Sequence, residues 1–182
     1  SVVVQFFQKR VVGLDGHQDK HPKQLSVGIA GIPSAGINVL CTVGHINEAW
    51  SAMPPLPFQP MVGHDGSVST GCACPNTPEL HAYVRAKYEL TAKACPDFIW
   101  VDDDIRMQNH GVAWACFCPT CLEQLAQRAG RAYTREELVA AFNAPDGRVA
   151  RELWIEQNIA SLESLLADVG DAVRGIDPAI AT

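Results

Sequence analysis

NTPELHAYVRAKYELTAKACPDFIWVDDD, residues Asn76 to Asp104, reads as a helix, a turn and a buried strand in one run. Asn76 and Thr77 are polar capping residues. Pro78 stands at the first helical turn, where a missing N–H costs nothing because that donor has no partner inside the helix. Leu80, Tyr83, Val84 and Tyr88 then return at helical spacing and form one apolar face. Phe98–Val101 is wholly apolar and only four residues long. Such a run predicts a strand covered on both faces. It ends in three carboxylates, Asp102, Asp103 and Asp104.

Two similar runs lie upstream. Ser1–Phe7 and Ile37–Val43 are apolar and rich in β-branched residues, and both predict buried strands. Between them, Gln8–His21 reads as a loop and Pro22–Ile32 as a helix weakened by Gly28 and Gly31. Downstream, Leu122–Ala129 reads as a helix, and Thr134 with Glu137 forms a capping box for a further short one. A long terminal helix is expected from Gly147 to Arg174, with Ile155, Ile159, Leu162, Leu166, Val169 and Val173 as its apolar stripe. Gly175 and Pro178 close it.

Apolar strands alternating with helices imply parallel βαβ units with right-handed crossovers. The two long loops, Gly44–Cys74 and the segment after Asp104, both follow strands, where barrels and open α/β sheets place their sites. Three strands are too few for a complete barrel, which takes about 250 residues. The expected fold is therefore α/β: a partial (β/α)8 TIM barrel with long loops at the carboxyl ends of its parallel strands and a long C-terminal helix. Residues 1–182 are expected to be a fragment of a single barrel domain, with the remaining strands outside the chain.

A net charge of −6 speaks against a nucleic-acid binder, since phosphate contacts need a surplus of Lys and Arg. No apolar run nears the ~20 residues that span a bilayer, so no membrane partner is expected. No basic stretch precedes an apolar core and a small-residue cleavage site. Seven cysteines is an odd number for a disulfide framework, and their clustering points to a reducing compartment. The cytoplasm is the expected location.

Cys116-Phe117-Cys118-Pro119-Thr120-Cys121 is the most specific motif. Zinc favours a tetrahedron of thiolates, and a turn with three close cysteines can aim three sulfurs at one centre. The fourth ligand must come from elsewhere, and spacing leaves Cys72 and Cys74 equally open. Four cysteines leave no open coordination position, so such a zinc is structural. Loop thiols or a disulfide would fit the same residues. Cys41 and Cys95 read as small buried hydrophobes.

Side chains alternate along a strand, which puts Asp102 and Asp104 on one face and Asp103 on the other. Mutual repulsion can raise one carboxyl into the range of a general acid, as glycoside hydrolysis requires, while Arg106 holds another ionised. A solvated acidic loop or a divalent-metal site would use the same residues. His45, Asn47 and Glu48 end the second strand beside Trp50, a flat ring with hydrogen-bonding neighbours that suits a sugar. His64, Asn109 and His110 lie on the long loops and are candidates to line the same cleft.

The segment Cys74-Pro75-Asn76-Thr77-Pro78, the helix, the strand with Trp100 ending in acidic residues, and then the cluster at Cys116–Cys121 together resemble glycoside hydrolase family 42, the zinc-containing β-galactosidases, and their barrel relatives. The match covers roughly Ile37 to Leu125. The resemblance implies Cys74, Cys116, Cys118 and Cys121 as zinc ligands, choosing Cys74 over Cys72. It also implies Asp104 as the acid/base, with Asp103 second, where the family carries an Asn-Glu pair. The family's nucleophile, a Glu on a later strand, has no counterpart in this chain. The expected function is that of a glycoside hydrolase-like barrel acting on a carbohydrate, with Asp102, Arg106, His110, His45, Asn47, Glu48 and Trp50 contacting substrate. The alternatives are a non-catalytic carbohydrate-binding scaffold with a structural zinc, and a divalent-metal enzyme using the Asp cluster. A homo-oligomer is compatible with either.

Overall fold

The computed structural model describes residues 2–6, 34–46 and 58–182, the first of these as backbone. The expected loop Gln8–His21 and helix Pro22–Ile32 lie outside the described residues. The elements run β1 (Val2–Phe6), β2 (Ala35–Val39), β3 (Pro60–Val62), β4 (Val68–Ala73), α1 (Pro78–Ala92), β5 (Phe98–Val101), α2 (Pro119–Ala129), α3 (Arg135–Asn143) and α4 (Arg148–Ile176). β1, β2 and β5 form a parallel sheet in that order, with Ile37 opposite Ile99 and Val39 opposite Val101.

The expected partial (β/α)8 barrel is overturned. Among the described residues the three parallel strands form an open sheet, the other two strands pair with each other, and no barrel closes. Closure requires hydrogen bonds carried round a ring of strands at a common tilt. Among the described residues the far edge of β5 meets only a bridge between Phe98 and Ala181. β3 and β4 pair with one another, antiparallel, and β4 also donates to the carbonyls of Val43 and His110.

That hairpin sits inside what the sequence presents as a structureless loop. Its turn is built by Asp65-Gly66: the Asp65 carboxylate accepts from the Ser67 backbone at 3.0 Å and hydroxyl at 2.5 Å, and Gly66 takes φ +85°. An Asp-Gly pair between short apolar runs is a hairpin signal. Pro and Gly around it masked the alternation of Met61 and Val62.

The second strand also ends earlier than its apolar run. Ile37–Val43 was expected to be extended throughout, but β2 stops at Val39 and Cys41 turns the chain at φ +62°. Cys41, Thr42 and Val43 are apolar or small because they are buried, not because they pair. The Lys87 ammonium, buried on α1, takes the freed carbonyls of Leu40 and Cys41, the latter at 3.0 Å.

α1 begins as expected, with Thr77 extended before Pro78, although the Thr77 hydroxyl donates to the Cys74 carbonyl at 3.2 Å instead of capping. Leu80, Val84 and Tyr88 are buried. The α3 capping box forms both bonds, Glu137 N–H to the Thr134 hydroxyl at 3.1 Å and Thr134 N–H to the Glu137 carboxylate at 2.8 Å.

α4 corrects the expected stripe. Ile155, Ile159 and Leu166 are exposed, and only Val169 and Val173 of that set are buried. The buried face carries Trp154, Gln157, Asn158, Ser161, Leu165 and Asp168 instead. Two of its polar members donate to main-chain carbonyls across the interface: the Gln157 amide to Cys121 at 2.8 Å, the Asn158 amide to Ala115 at 3.0 Å. Buried carbonyls need donors, and that need outweighs hydrophobicity in selecting the face. No helix among the described residues is long and apolar enough to cross a membrane.

Asp168 locks α4 to α1. Its carboxylate meets His81 Nδ1 and Arg85 Nη2, each at 2.5 Å, and the other His81 nitrogen meets the Pro75 carbonyl at 2.8 Å. Burial pushes the Asp168 carboxyl up, but the bonds from His81 and Arg85 outweigh it and hold the pKa below 3.8. A lowered carboxylate stabilises the fold above its unfolded pKa, and that contribution disappears as pH falls through the folded value. Asp168→Asn is expected to cost about 2 kcal/mol at pH 7. In urea titrations the difference from wild type should shrink below about pH 4; a difference constant with pH would rule out the ionic lock.

Candidate metal centre

Cys74 follows β4 just before α1, Cys116 and Cys118 lie on the loop that runs into α2, and Cys121 lies in the first turn of α2. Their four sulfurs lie within 4.8 Å of one another and all four residues are buried. Cys74 Sγ is 3.5 Å from both Cys121 Sγ and Cys118 Sγ. A disulfide is about 2.05 Å long, so these are not bonded pairs. Four thiolates about 2.3 Å from a zinc ion stand ~3.8 Å apart at tetrahedral corners. The spacing therefore suits a metal held by four sulfurs.

Donors surround the cluster. Asn76 Nδ2 points at Cys121 Sγ at 3.2 Å, and the Val62 N–H at Cys116 Sγ at 3.4 Å. N–H groups aimed at sulfur favour the thiolate and fix its direction. The neighbouring thiols hold Cys118 well below the usual range, with Cys116 first among them, and push Cys121 above it. Proline at the first turn of α2 and the bond from Leu122 N–H to the Cys118 carbonyl at 3.0 Å place Cys121 beside Cys118. Asn76, Gln157 and Asn158, which hold this loop or its sulfurs, were not among the expected site residues. Helical spacing from Trp154 through Leu165 was the one available signal for the latter two.

Cys72 is buried outside the cluster, with its Sγ 3.5 Å from the Gln108 carbonyl, and burial raises its thiol. Cys41 is buried as expected, but Cys95 is exposed at the end of α1, at φ +53°.

The three aspartates diverge. Asp102 accepts from Asn38 on β2 at 2.9 Å. Asp103 is 85% exposed, with Arg106 at 3.9 Å. Asp104 is fully buried, and its carboxylate accepts the Thr42 N–H at 2.6 Å while its other oxygen has no hydrogen-bond partner among the described residues. Burial pushes the Asp104 carboxyl up to about 6, against the opposing effects of the Thr42 bond and the Lys87 ammonium. Asp104 thus ties the loop after β2 to the loop after β5, and its carbonyl accepts from Gly44 at 3.0 Å. Among the described residues the only cluster of three or more Cys, His, Asp or Glu side chains placed to share a metal is the four-cysteine one.

His45, Arg106 and His110 come together. Arg106 Nη2 lies 3.3 Å from His45 Nε2, the His45 N–H donates to His110 Nε2 at 3.3 Å, and the two imidazoles stand edge-on at 4.5 Å. Cys41, His45, Asn109 and His110 all adopt left-handed backbone in the loops that follow β2 and β5. Non-glycine residues accept that cost where the surrounding structure enforces it, often at binding sites. His64 lies apart from this group, its N–H donating to the Trp114 carbonyl at 3.0 Å. Asn47, Glu48 and Trp50 lie outside the described residues.

Comparison of the chain with protein-family models, with characterised proteins and with solved structures finds no match.

Proposed function

We propose that the chain is a zinc-stapled α/β unit that binds a carbohydrate at the carboxyl end of its parallel sheet. The carrying observation is the cluster of Cys74, Cys116, Cys118 and Cys121. Four buried sulfurs with aimed N–H donors favour zinc over harder cations, and a closed set of four thiolates makes it structural. The sulfur that joins the cluster is Cys74, the one the resemblance to family 42 named. That agreement supports a carbohydrate as the ligand.

The loop that supplies three of these sulfurs starts at Asp102 and carries Asp103, Arg106 and His110. The metal therefore fixes the far end of the loop whose near end meets the sheet. Asp103 is the carboxylate open to a ligand, Arg106 and His45 with His110 supply polar edges, and Asp104 holds the backbone beneath them. Oligosaccharide binding followed by calorimetry should weaken about tenfold or more in Asp103→Asn and in Arg106→Ala, the loss of a charged hydrogen bond. Wild-type affinity in both variants would remove this surface from the site.

A second reading is O-glycosyl hydrolysis, favoured by the Asp104 carboxyl near pKa 6, the range of a general acid. Its burial means that the loops after β2 and β5 must part before it meets a substrate. Release of aryl alcohol from nitrophenyl glycosides by wild type, lost in Asp104→Asn, is the outcome this reading requires.

A further inference from the structure

Trp114 is 61% exposed, although a large indole is among the costliest groups to leave in water. Its backbone is not loose. The loop around it folds back on itself, with Ala115 N–H donating to Met107 at 3.2 Å and Asn109 N–H to Val112 at 2.8 Å. The Trp114 carbonyl accepts from His64 at 3.0 Å, and the next carbonyl, of Ala115, accepts from Asn158 on α4 at 3.0 Å. The ring is backed as well. Trp154 lies 6.3 Å beneath it at 35°, and Trp154 in turn stacks on Phe117 at 5.4 Å and meets Phe142 at 5.6 Å. Phe117 stands between two of the cysteine ligands, so the stack rests on the metal loop.

An aromatic face that is exposed, held by its backbone and backed by further rings has lost its freedom before any ligand arrives, which is the condition for tight binding at small cost. A flat indole face held in this way suits a ligand with a flat apolar face of its own, which a pyranose ring of the carbohydrate proposed above presents. We propose that Trp114 is the stacking platform of a neutral sugar subsite, a pyranose ring lying on the indole. The proposal rests on the carbohydrate reading above and names the subsite within it.

The test titrates the full chain with lactose, cellotetraose and xylotetraose, following tryptophan emission and heat. At least one sugar should bind wild type saturably. Trp114→Leu, which keeps an apolar side chain but no flat face, should bind it about tenfold more weakly or worse. Trp114→Phe should retain most of the affinity, and Trp100→Ala, which removes the other strongly exposed indole among the described residues, at 62%, should bind as wild type does. Circular dichroism and melting curves verify that each variant is folded, and the Phe variant decides the matter if Leu is not tolerated: a Phe variant losing as much as tenfold overturns the flat-face assignment. Sugar binding unchanged in Trp114→Leu overturns the platform and leaves the carbohydrate reading standing. A wild type that binds none of the three sugars overturns both.

Discussion

Removal of the zinc proposed at the four-cysteine cluster by a strong chelator is expected to lower the melting temperature of this protein by about 10–20 °C. The four cysteines join the β4–α1 junction to the segment entering α2, which Asn76 also reaches through its bond to Cys121 Sγ at 3.2 Å. Without the metal, the buried thiols must share protons at van der Waals separation, and the N–H donors of Asn76 and Val62 lose their thiolates. A structural zinc of this kind contributes several kcal/mol to folding. For a chain of this size each kcal/mol moves the midpoint by about 2–4 °C, and ~5 kcal/mol gives the stated range. Metal analysis should find about one zinc per chain. Cys118→Ser should abolish that stoichiometry and melt like the chelated protein, whereas Cys72→Ser should keep the metal, because Cys72 lies outside the cluster. Equal metal content in the two variants would refute the ligand set.

Asp104→Asn is expected to stabilise the protein at neutral pH. The folded carboxyl is raised from 3.8 to about 6, chiefly by burial. A carboxyl with a raised folded pKa favours the folded state only while it is protonated. Stability from this group is therefore present at low pH, falls as pH rises from about 4 to about 6, and is fully lost above that. The difference of about 2 pH units corresponds to ~3 kcal/mol of cost at pH 7. Asparagine removes the charge and can still accept the Thr42 N–H. Urea unfolding should show the variant ahead of wild type by about 2–3 kcal/mol at pH 7.5 and level with it near pH 4. Asp104→Ala, which leaves the buried Thr42 donor without a partner, should be destabilised at both pH values. An Asn variant weaker than wild type at pH 7.5 would mean that the ionised carboxylate is held favourably, most directly by Lys87.

Much of the helical content was readable along the chain. Pro78 opens a helix as expected, the helix expected over Leu122–Ala129 is present but starts earlier, at Pro119, Thr134 and Glu137 close their capping box, and the long terminal helix spans nearly the expected residues. These features are local: a cap or a first-turn proline acts within one turn of its own position. The β structure was read less well. Apolar content foretold burial of Cys41, Thr42 and Val43 but not whether they pair, and the β3–β4 hairpin was hidden because three-residue strands carry almost no periodicity. The barrel expectation failed for the same reason, since strand partners are separated by tens of residues and the run itself does not say which edge it meets.

The sequence by itself pointed to three of the four cysteines of the candidate metal centre, because Cys116, Cys118 and Cys121 lie within six residues and one tight turn suffices to bring their sulfurs together. The tertiary structure decided the rest. It brought in Cys74 and left Cys72 outside. It buried Asp104 while leaving Asp103 in solvent. On α4 it turned Gln157, Asn158 and Asp168 inward and three apolar residues outward. The physical reason is common to all of these. A side chain's partner is set by which unsatisfied donor or acceptor lies across the interface, and that neighbour belongs to a distant part of the chain.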